Sequence, residues 1–357
     1  MLTTFTEQLL RGTALSSEQV SAAVYQLTEE LIPTDAKAEF LMALARKGET
    51  VEEIAGFARE LREKSVRPPL DETVRAGEIL DVCGTGGDHL GTFNISTTVA
   101  LLAAAAGVTV AKHGNRAITS QAGSADVLEA LGVKIDVTPE QAAKSLKEHQ
   151  FAFFFAPKYH PAFKHIAPAR KLCAERGQRT IFNLLGPLLN PARPTAQLIG
   201  VPKPEFCEPV GRVLQSLGLR RGMVVCGEVS PLSMADPAGR SYLDEISIFG
   251  PNTIAEFYHE RGFHLSTLNP SDYPVQTARL DDLVGGNSQA NAQILRDILS
   301  GEDRGPKRDA VLLNAAAALL MAAKVESLIE GWELAALTID SGKAAEKLED
   351  LISYEPR

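Results

Sequence analysis

Asp81-Val82-Cys83-Gly84-Thr85-Gly86-Gly87-Asp88-His89-Leu90-Gly91-Thr92-Phe93-Asn94-Ile95-Ser96-Thr97 is the stretch on which the fold turns. An apolar strand, Glu78 to Val82, runs into four glycines within eight residues and then into a helix, Ile95 to Ala106. A strand, a glycine turn and a helix in that order make the repeating unit of a parallel α/β sheet. Glycine lets the backbone take φ > 0 and lets a ligand reach main-chain N–H groups. Asn94, Ser96 and Thr97 add amide and hydroxyl groups where the helix dipole favours an anion. The glycines alone would serve a plain connection equally well. The polar cluster behind them, with Asp88 inside the turn, is what points to phosphate.

A second polar cluster follows the strand Val108 to Ala111. It comprises Lys112-His113-Gly114-Asn115-Arg116 and then Ser120-Gln121-Ala122-Gly123-Ser124-Ala125-Asp126, which opens a helix from Ser124 to Leu131. Ligands bind at the carboxyl ends of parallel strands, so two consecutive strand–helix units would aim both loops into one crevice. Lys112 and Arg116 bring positive charge, and Ser120 and Ser124 bring hydroxyls. The plainer reading of Ser124 and Asp126 is that they only cap their helix.

Away from these loops, residues 1 to about 65 read as helices only. Ser16 with Gln19 and Thr50 with Glu53 form capping boxes, and Ala55, Phe57, Ala58 and Leu61 follow at helical spacing. Val66-Arg67-Pro68-Pro69-Leu70 breaks the pattern and marks the hinge. From Ile79 onward strands alternate with helices: Ile79 to Val82, Val108 to Ala111, Phe151 to Ala156, Ala196 to Val201 and Met223 to Cys226, with Thr138 opening an intervening helix. Asp309 to Ser353 returns to helix. The predicted class is α/β: a small α-helical domain, residues 1–70, and a large α/β domain, 71–357, with a mainly parallel sheet.

The 357 residues are 45% hydrophobic and 23% charged, ordinary for a soluble enzyme. A net charge of −9 disfavours a broad nucleic-acid or acidic-membrane surface but leaves a local basic pocket possible. Cys83, Cys173, Cys207 and Cys226 are scattered without a CxxC pair, which fits neither zinc nor a disulfide framework. Met1 to Glu7 lacks a basic start and an apolar segment, so a cytoplasmic location is expected. The apolar runs Val99 to Ala106 and Ala315 to Ala323 fall short of the ~20 residues of a membrane span.

Taken together, Gly84-Thr85-Gly86-Gly87-Asp88, Asn94-Ile95-Ser96-Thr97, Lys112 to Arg116, Gly123 to Gly132, His160-Pro161-Ala162, Arg170-Lys171, Arg179 to Pro191 and Leu243 to Ser247 resemble the anthranilate phosphoribosyltransferases in order and approximate spacing. The resemblance covers nearly the whole chain. It implies transfer of phosphoribosyl from 5-phosphoribosyl 1-diphosphate to anthranilate, with release of pyrophosphate, in tryptophan biosynthesis. It implies helices near Pro161 to Asn190 that complete the small domain, an active site in the cleft between the domains, and a homodimer joined through the helical part. Leu9, Leu10 and Val24 are apolar candidates for that contact, or for intramolecular core.

Residue by residue, the resemblance puts Gly84, Gly87, Asp88, Thr92, Asn94, Ile95, Ser96 and Thr97 on the donor. Lys112, His113, Gly114, Asn115, Arg116, Ser120 and Ser124 would wrap the rest of it. Anthranilate would lie on Gly84, Asn115 and Arg170, and Mg2+ on Ser96, Asp244 and Glu245. No residue is assigned as acid or base: His113 reads as a buried or positioning histidine, and His160 as a helix start. The chain departs from the family pattern at Ala122, where a serine is usual, in about two extra residues between Arg170 and Arg179, and in an insertion between Glu228 and Asp244. These changes fit either an altered acceptor or loop drift. Two alternatives stay open: a pyrimidine nucleoside phosphorylase, opposed by the Lys112 to Arg116 run and the Asp244-Glu245 pair, and a nucleic-acid-binding paralogue, opposed by the acidic balance.

Overall fold

The structure, a computed structural model, describes residues 2–117, 121–229, 241–259 and 262–355. Its first four helices are α1 (Leu2–Leu10), α2 (Ser17–Thr28), α3 (Thr34–Lys47) and α4 (Val51–Glu63). Both predicted capping boxes form: Ser16 Oγ accepts from Gln19 N and Thr50 Oγ1 from Glu53 N. The Glu53 carboxylate, fully buried, also takes Thr50 N, Leu15 N and Lys47 Nζ at 2.7–2.9 Å. A buried acid is tolerable because it is so fully partnered. Leu9 and Val24 are core residues here, whereas Leu10 is 62% exposed.

A short helix α5 (Glu72–Ala76) leads into the sheet. The strands are β1 (Ile79–Gly84), β2 (Thr109–Gly114), β3 (Phe151–Phe155), β4 (Ala196–Gly200), β5 (Arg221–Val229), β6 (Ser241–Leu243), β7 (Asn252–Tyr258) and β8 (Gly262–Leu268). Their order is β3-β2-β1-β4-β5-β7-β8, with β6 also paired to β5. The predicted strands form the parallel part, β3 to β5, while β6, β7 and β8 are antiparallel. The sheet is therefore mixed, and the sequence reading did not find those three strands.

One face of the sheet is covered by α6 (Ile95–Ala105), α7 (Ser124–Leu131) and the C-terminal helices α13 (Ser288–Ser300), α14 (Pro306–Met321), α15 (Leu328–Asp340) and α16 (Lys343–Ser353). Leu80 and Val82, Val110, Ala196 and Leu198, and Met223 and Val225 alternate into that core, the period of two that a strand dictates. The opposite residues, Ile199, Val224 and Cys226, join a second core with α1 to α4, α10 (Ala167–Glu175) and α12 (Cys207–Ser216). The helical N-terminus and the segment 161–190 thus share one apolar interior.

Candidate active site

Three adjacent strands end in glycine, Gly114 on β2, Gly84 on β1 and Gly200 on β4, and their neighbour β5 carries Gly227 two residues before its end, on the same face. Each lies where the alternation would next place an inward side chain. A Cβ on Gly84 would fall 2.2 Å from Asp244 Oδ2, on Gly200 1.5 Å from Asp244 O, on Gly227 2.4 Å from Ser247 Cβ, and on Gly114 2.2 Å from Ser124 Oγ. The missing side chains at Gly84, Gly200 and Gly227 let the segment after β6 lie across the strands, and the one at Gly114 lets Ser124 approach. Sequence reasoning used Gly84 and Gly114 but missed Gly200 and Gly227; a glycine closing the strand is the signal that would have found Gly200, whereas Gly227 lies inside β5.

The donor turn carries Gly86, Gly87 and Gly91 at φ +74°, +92° and +68°, so its N–H groups point outward in a way few other residues permit. Gly86 N donates to Asp244 Oδ2 at 2.7 Å, and Ser96 N, in the first turn of α6, donates to Glu245 Oε1 at 3.2 Å. The two carboxylates therefore already occupy anion-seeking groups of the turn. Ser96 faces the site, whereas the side chains of Ile95, in the core, and Thr97 are buried, the Thr97 hydroxyl without a hydrogen-bond partner. Asn94 is also committed, donating to Ala122 O at 3.2 Å and accepting from Asn291 at 2.8 Å. Thr92 bridges to Val284 as a strand would.

Lys112 and His113 belong to β2 rather than to a loop beyond it. Lys112 is 1% exposed, and its Nζ donates to Val82 O at 2.7 Å and to Ser96 Oγ at 3.4 Å. It lies under the turn and brings its charge to Glu245 from below. His113, on the opposite face, meets His160 with 3.3 Å between their Nε2 atoms. Burial pushes His113 down to about 3, helped by the neighbouring His160, and His160 down to about 4, so both are neutral near pH 7. Asn115 and Arg116 are exposed, but Arg116 pairs with Asp126 and Glu129 on α7. That guanidinium is turned to the outer surface rather than around a donor. Ser124 donates weakly to Asn115 O at 3.4 Å, and it is Asp126 that caps α7, taking Gly123 N and Ala117 N at 2.9 Å. Ser120 and the bulk of the insertion, 230–240, lie outside the described residues.

Asp244 and Glu245 follow β6, not β5 directly. Burial drives both carboxyls up, Asp244 being raised further by Asp88 and Glu245, while Lys112 and Ser96 pull Glu245 back. Asp88 Oδ2 is buried with no hydrogen-bond donor, beside the Asp244 carboxyl. Three crowded acids and an unsatisfied oxygen are the chemistry a divalent cation relieves. Among the described residues no three His, Cys, Asp or Glu side chains are grouped so as to hold a metal ion by themselves. An open set suits Mg2+, which binds through one or two carboxylates and keeps phosphate or water oxygens.

On α10, Arg170 is half-buried, its guanidinium carbon 5.1 Å from the centre of the Phe182 ring. Burial lowers its pKa, and no carboxylate pairs with it among the described residues. Its neighbour Lys171 is 81% exposed, so the basic stretch divides into an inward arginine and an outward lysine. Arg179, which the sequence reading left without a role, brings Nη2 to 3.2 Å from the Cβ position of Gly87.

A glycine-rich phosphate turn, two buried acids at the strand ends and a helical layer opposite define a glycosyl transferase of the phosphoribosyl type. The models of the glycosyl transferase family match accordingly, the helical bundle domain over residues 3–65 and the a/b domain over residues 76–345. An anthranilate phosphoribosyltransferase of Symbiobacterium thermophilum is 47% identical over 352 residues, 98% of this chain and 96% of that protein. The crystal structure of the Thermus thermophilus enzyme is 40% identical with a TM-score of 0.85, covering 98% of each chain. A Saccharomyces cerevisiae enzyme in complex with PRPP and Mg is 27% identical with a TM-score of 0.84, covering 99% of this chain and 98% of that one. The chain belongs to the anthranilate phosphoribosyltransferases, the enzymes that transfer phosphoribosyl to anthranilate in tryptophan biosynthesis.

Proposed function

We propose that the donor diphosphate is held between the Gly84 to Ser96 turn and the Asp244-Glu245 pair, and anthranilate by Arg170. The observation that carries this reading is the convergence of Gly86, Ser96, Lys112, Asp244 and Glu245 at the strand ends; the half-buried Arg170, stacked on Phe182 and without a carboxylate partner among the described residues, supports the acceptor side. Departure of pyrophosphate leaves an oxocarbenium-like ribose centre, so rate comes from charges fixed around the leaving group and from placing the amine. Mg2+, held by Asp244 and Glu245 with Asp88 nearby, would supply charge neutralisation to the departing diphosphate. Lys112 and Arg179 add positive charge below and beside the turn. Arg170 offers the planar fork that matches the anthranilate carboxylate. No residue is needed as a strong base, and the neutral, buried histidine pair is placed to shape the acceptor side.

The same reading divides the chain near residue 70, with the helices of 161–190 joined to the N-terminal part. It makes the protein a cytoplasmic homodimer, with the exposed Leu10, Tyr25 and Leu31 of the helical part as the apolar contact. No helix among the described residues is long and apolar enough to cross a membrane. Calorimetric titration with 5-phosphoribosyl 1-diphosphate tests the site. Binding should require Mg2+ in the native chain and lose that requirement, with weaker affinity, in Asp244→Asn/Glu245→Gln. Tight Mg2+-dependent binding by that variant would overturn the assignment.

A further inference from the structure

Asn314 sits in the middle of α14, among Leu312, Leu313, Ala315 and Ala316, and is itself completely buried. An amide in so apolar a helix is tolerated only where its polar atoms are met. They are met almost wholly by one residue: Ile246 N donates to Asn314 Oδ1 at 2.9 Å, and Asn314 Nδ2 donates to Ile246 O at 2.9 Å. One further bond, to Ala310 O within the helix, is also 2.9 Å. The side chain thus pairs with the Ile246 backbone as a neighbouring strand would. Ile246 directly follows Glu245, in a segment that runs over Gly84 and Gly200.

We propose that Asn314 is a positioning residue of the active site, whose amide clamps the Ile246 backbone so that Asp244 and Glu245 face the donor turn. It touches neither substrate nor metal and acts only through the acidic pair. The proposal rests on the reading of that pair as the metal ligands. Without the clamp the carboxylates, crowded against Asp88, have reason to swing apart. Asn252 holds the next residue in a similar way, through Ser247 N and O, but its amide also serves Gly250 and Leu268. Asn314 has no such turn to support, which makes the acidic segment its purpose.

The test compares Asn314→Leu, Asn314→Asp and, as a control for simple loss of core packing, Val311→Ala on the same helix. Mn2+ binding in the presence of pyrophosphate, followed by electron paramagnetic resonance, is the readout besides activity. Asn314→Leu should weaken Mn2+ binding about tenfold, in the range known for residues that orient metal ligands. It should raise the Mg2+ concentration for half-maximal turnover by a similar factor, with turnover recovered in excess Mg2+. Asn314→Asp, which keeps the bond from Ile246 N and loses both that Nδ2 donates, to Ile246 O and Ala310 O, should shift both in the same direction and serves if the leucine variant does not fold. Val311→Ala should lower Tm and move neither. Asn314 variants that lose Tm yet bind Mn2+ like the native chain would make Asn314 a structural tie and overturn the proposal. Asp244→Asn run alongside separates the two ideas: native Mn2+ binding by that variant would overturn the metal reading and, with it, the clamp's purpose.

Discussion

The Oδ2 of Asp244 accepts the backbone N–H of Gly86 at 2.7 Å, a bond between residues 158 positions apart that closes the active site at its mouth. The turn at one end of the contact is built to receive anions, and the residue at the other end is itself an anion. The protein's own carboxylate thus rests on one of the backbone groups of the turn proposed to receive the diphosphate.

From this arrangement, Asp244→Asn/Glu245→Gln should lower kcat by roughly a hundredfold or more, the scale for removing preorganised charge stabilisation. The same change should raise the Tm of the protein in EDTA, because it removes repulsion among three crowded carboxylates while leaving an amide oxygen to accept from Gly86. Activity and melting should therefore move in opposite directions; a variant that loses both would mark the pair as structural.

Arg170→Lys should act on the acceptor alone. A lysine keeps the charge but not the fork or the stacking on Phe182. Loss of one of the fork's two charge-assisted bonds, worth roughly 1.5–3 kcal/mol, corresponds to an increase of about ten- to a hundredfold in the KM for anthranilate. The KM for the donor should stay within about twofold. Equal rises in both would place Arg170 elsewhere in the cycle.

Gly200→Ala should be among the most damaging single changes in the sheet. Its Cβ would land 1.5 Å from the Asp244 carbonyl oxygen, a backbone atom that cannot turn aside. At Gly84 the nearest atom is the Asp244 carboxylate end, which can rotate, although the turn then loses the Gly86 contact. Gly200→Ala should cost about 2 kcal/mol or more of stability, from overpacking, and Gly84→Ala less. Denaturant midpoints for the two variants check the order.

The histidine pair gives a pH dependence with a definite sign. Burial holds His113 and His160 well below the usual 6.5, at about 3 and about 4. The unfolded chain therefore binds more protons than the fold between about pH 4 and 6.5, and stability rises with pH across that window. The contribution is complete above pH 6.5 and is lost as pH falls through the folded values. Tm measured from pH 7 to pH 4 should fall more steeply for the native chain than for His113→Gln/His160→Gln.

Much of this is legible in the sequence. The capping boxes at Ser16 and Thr50, the strand before Gly84 and the helix from Ser124 to Leu131 follow local rules, and they formed where those rules put them. The antiparallel strands were not legible. β8, Gly262–Leu268, carries mostly exposed residues on an edge, so it lacks the apolar alternation of a strand packed on a core. The destination of a long side chain was equally hidden. Lys112 and Arg116 read alike as basic residues at a strand end, yet one is buried beneath the donor turn and the other is drawn outward by Asp126 and Glu129. The acidic pair was found by resemblance, but the buried Asn314 that fixes it looks, in sequence, like one polar letter in an alanine-rich helix.

The central claim is that the cleft between the donor turn, the acidic pair and Arg170 joins a phosphoribosyl group to anthranilate. The most direct measurement is anthranilate fluorescence on mixing the purified protein with 5-phosphoribosyl 1-diphosphate and Mg2+, for the native chain and for Asp244→Asn/Glu245→Gln. The account predicts loss of fluorescence in the native protein that needs both donor and Mg2+, and little or none in the variant. Unchanged fluorescence in the native protein despite donor binding would contradict it and direct attention to another acceptor.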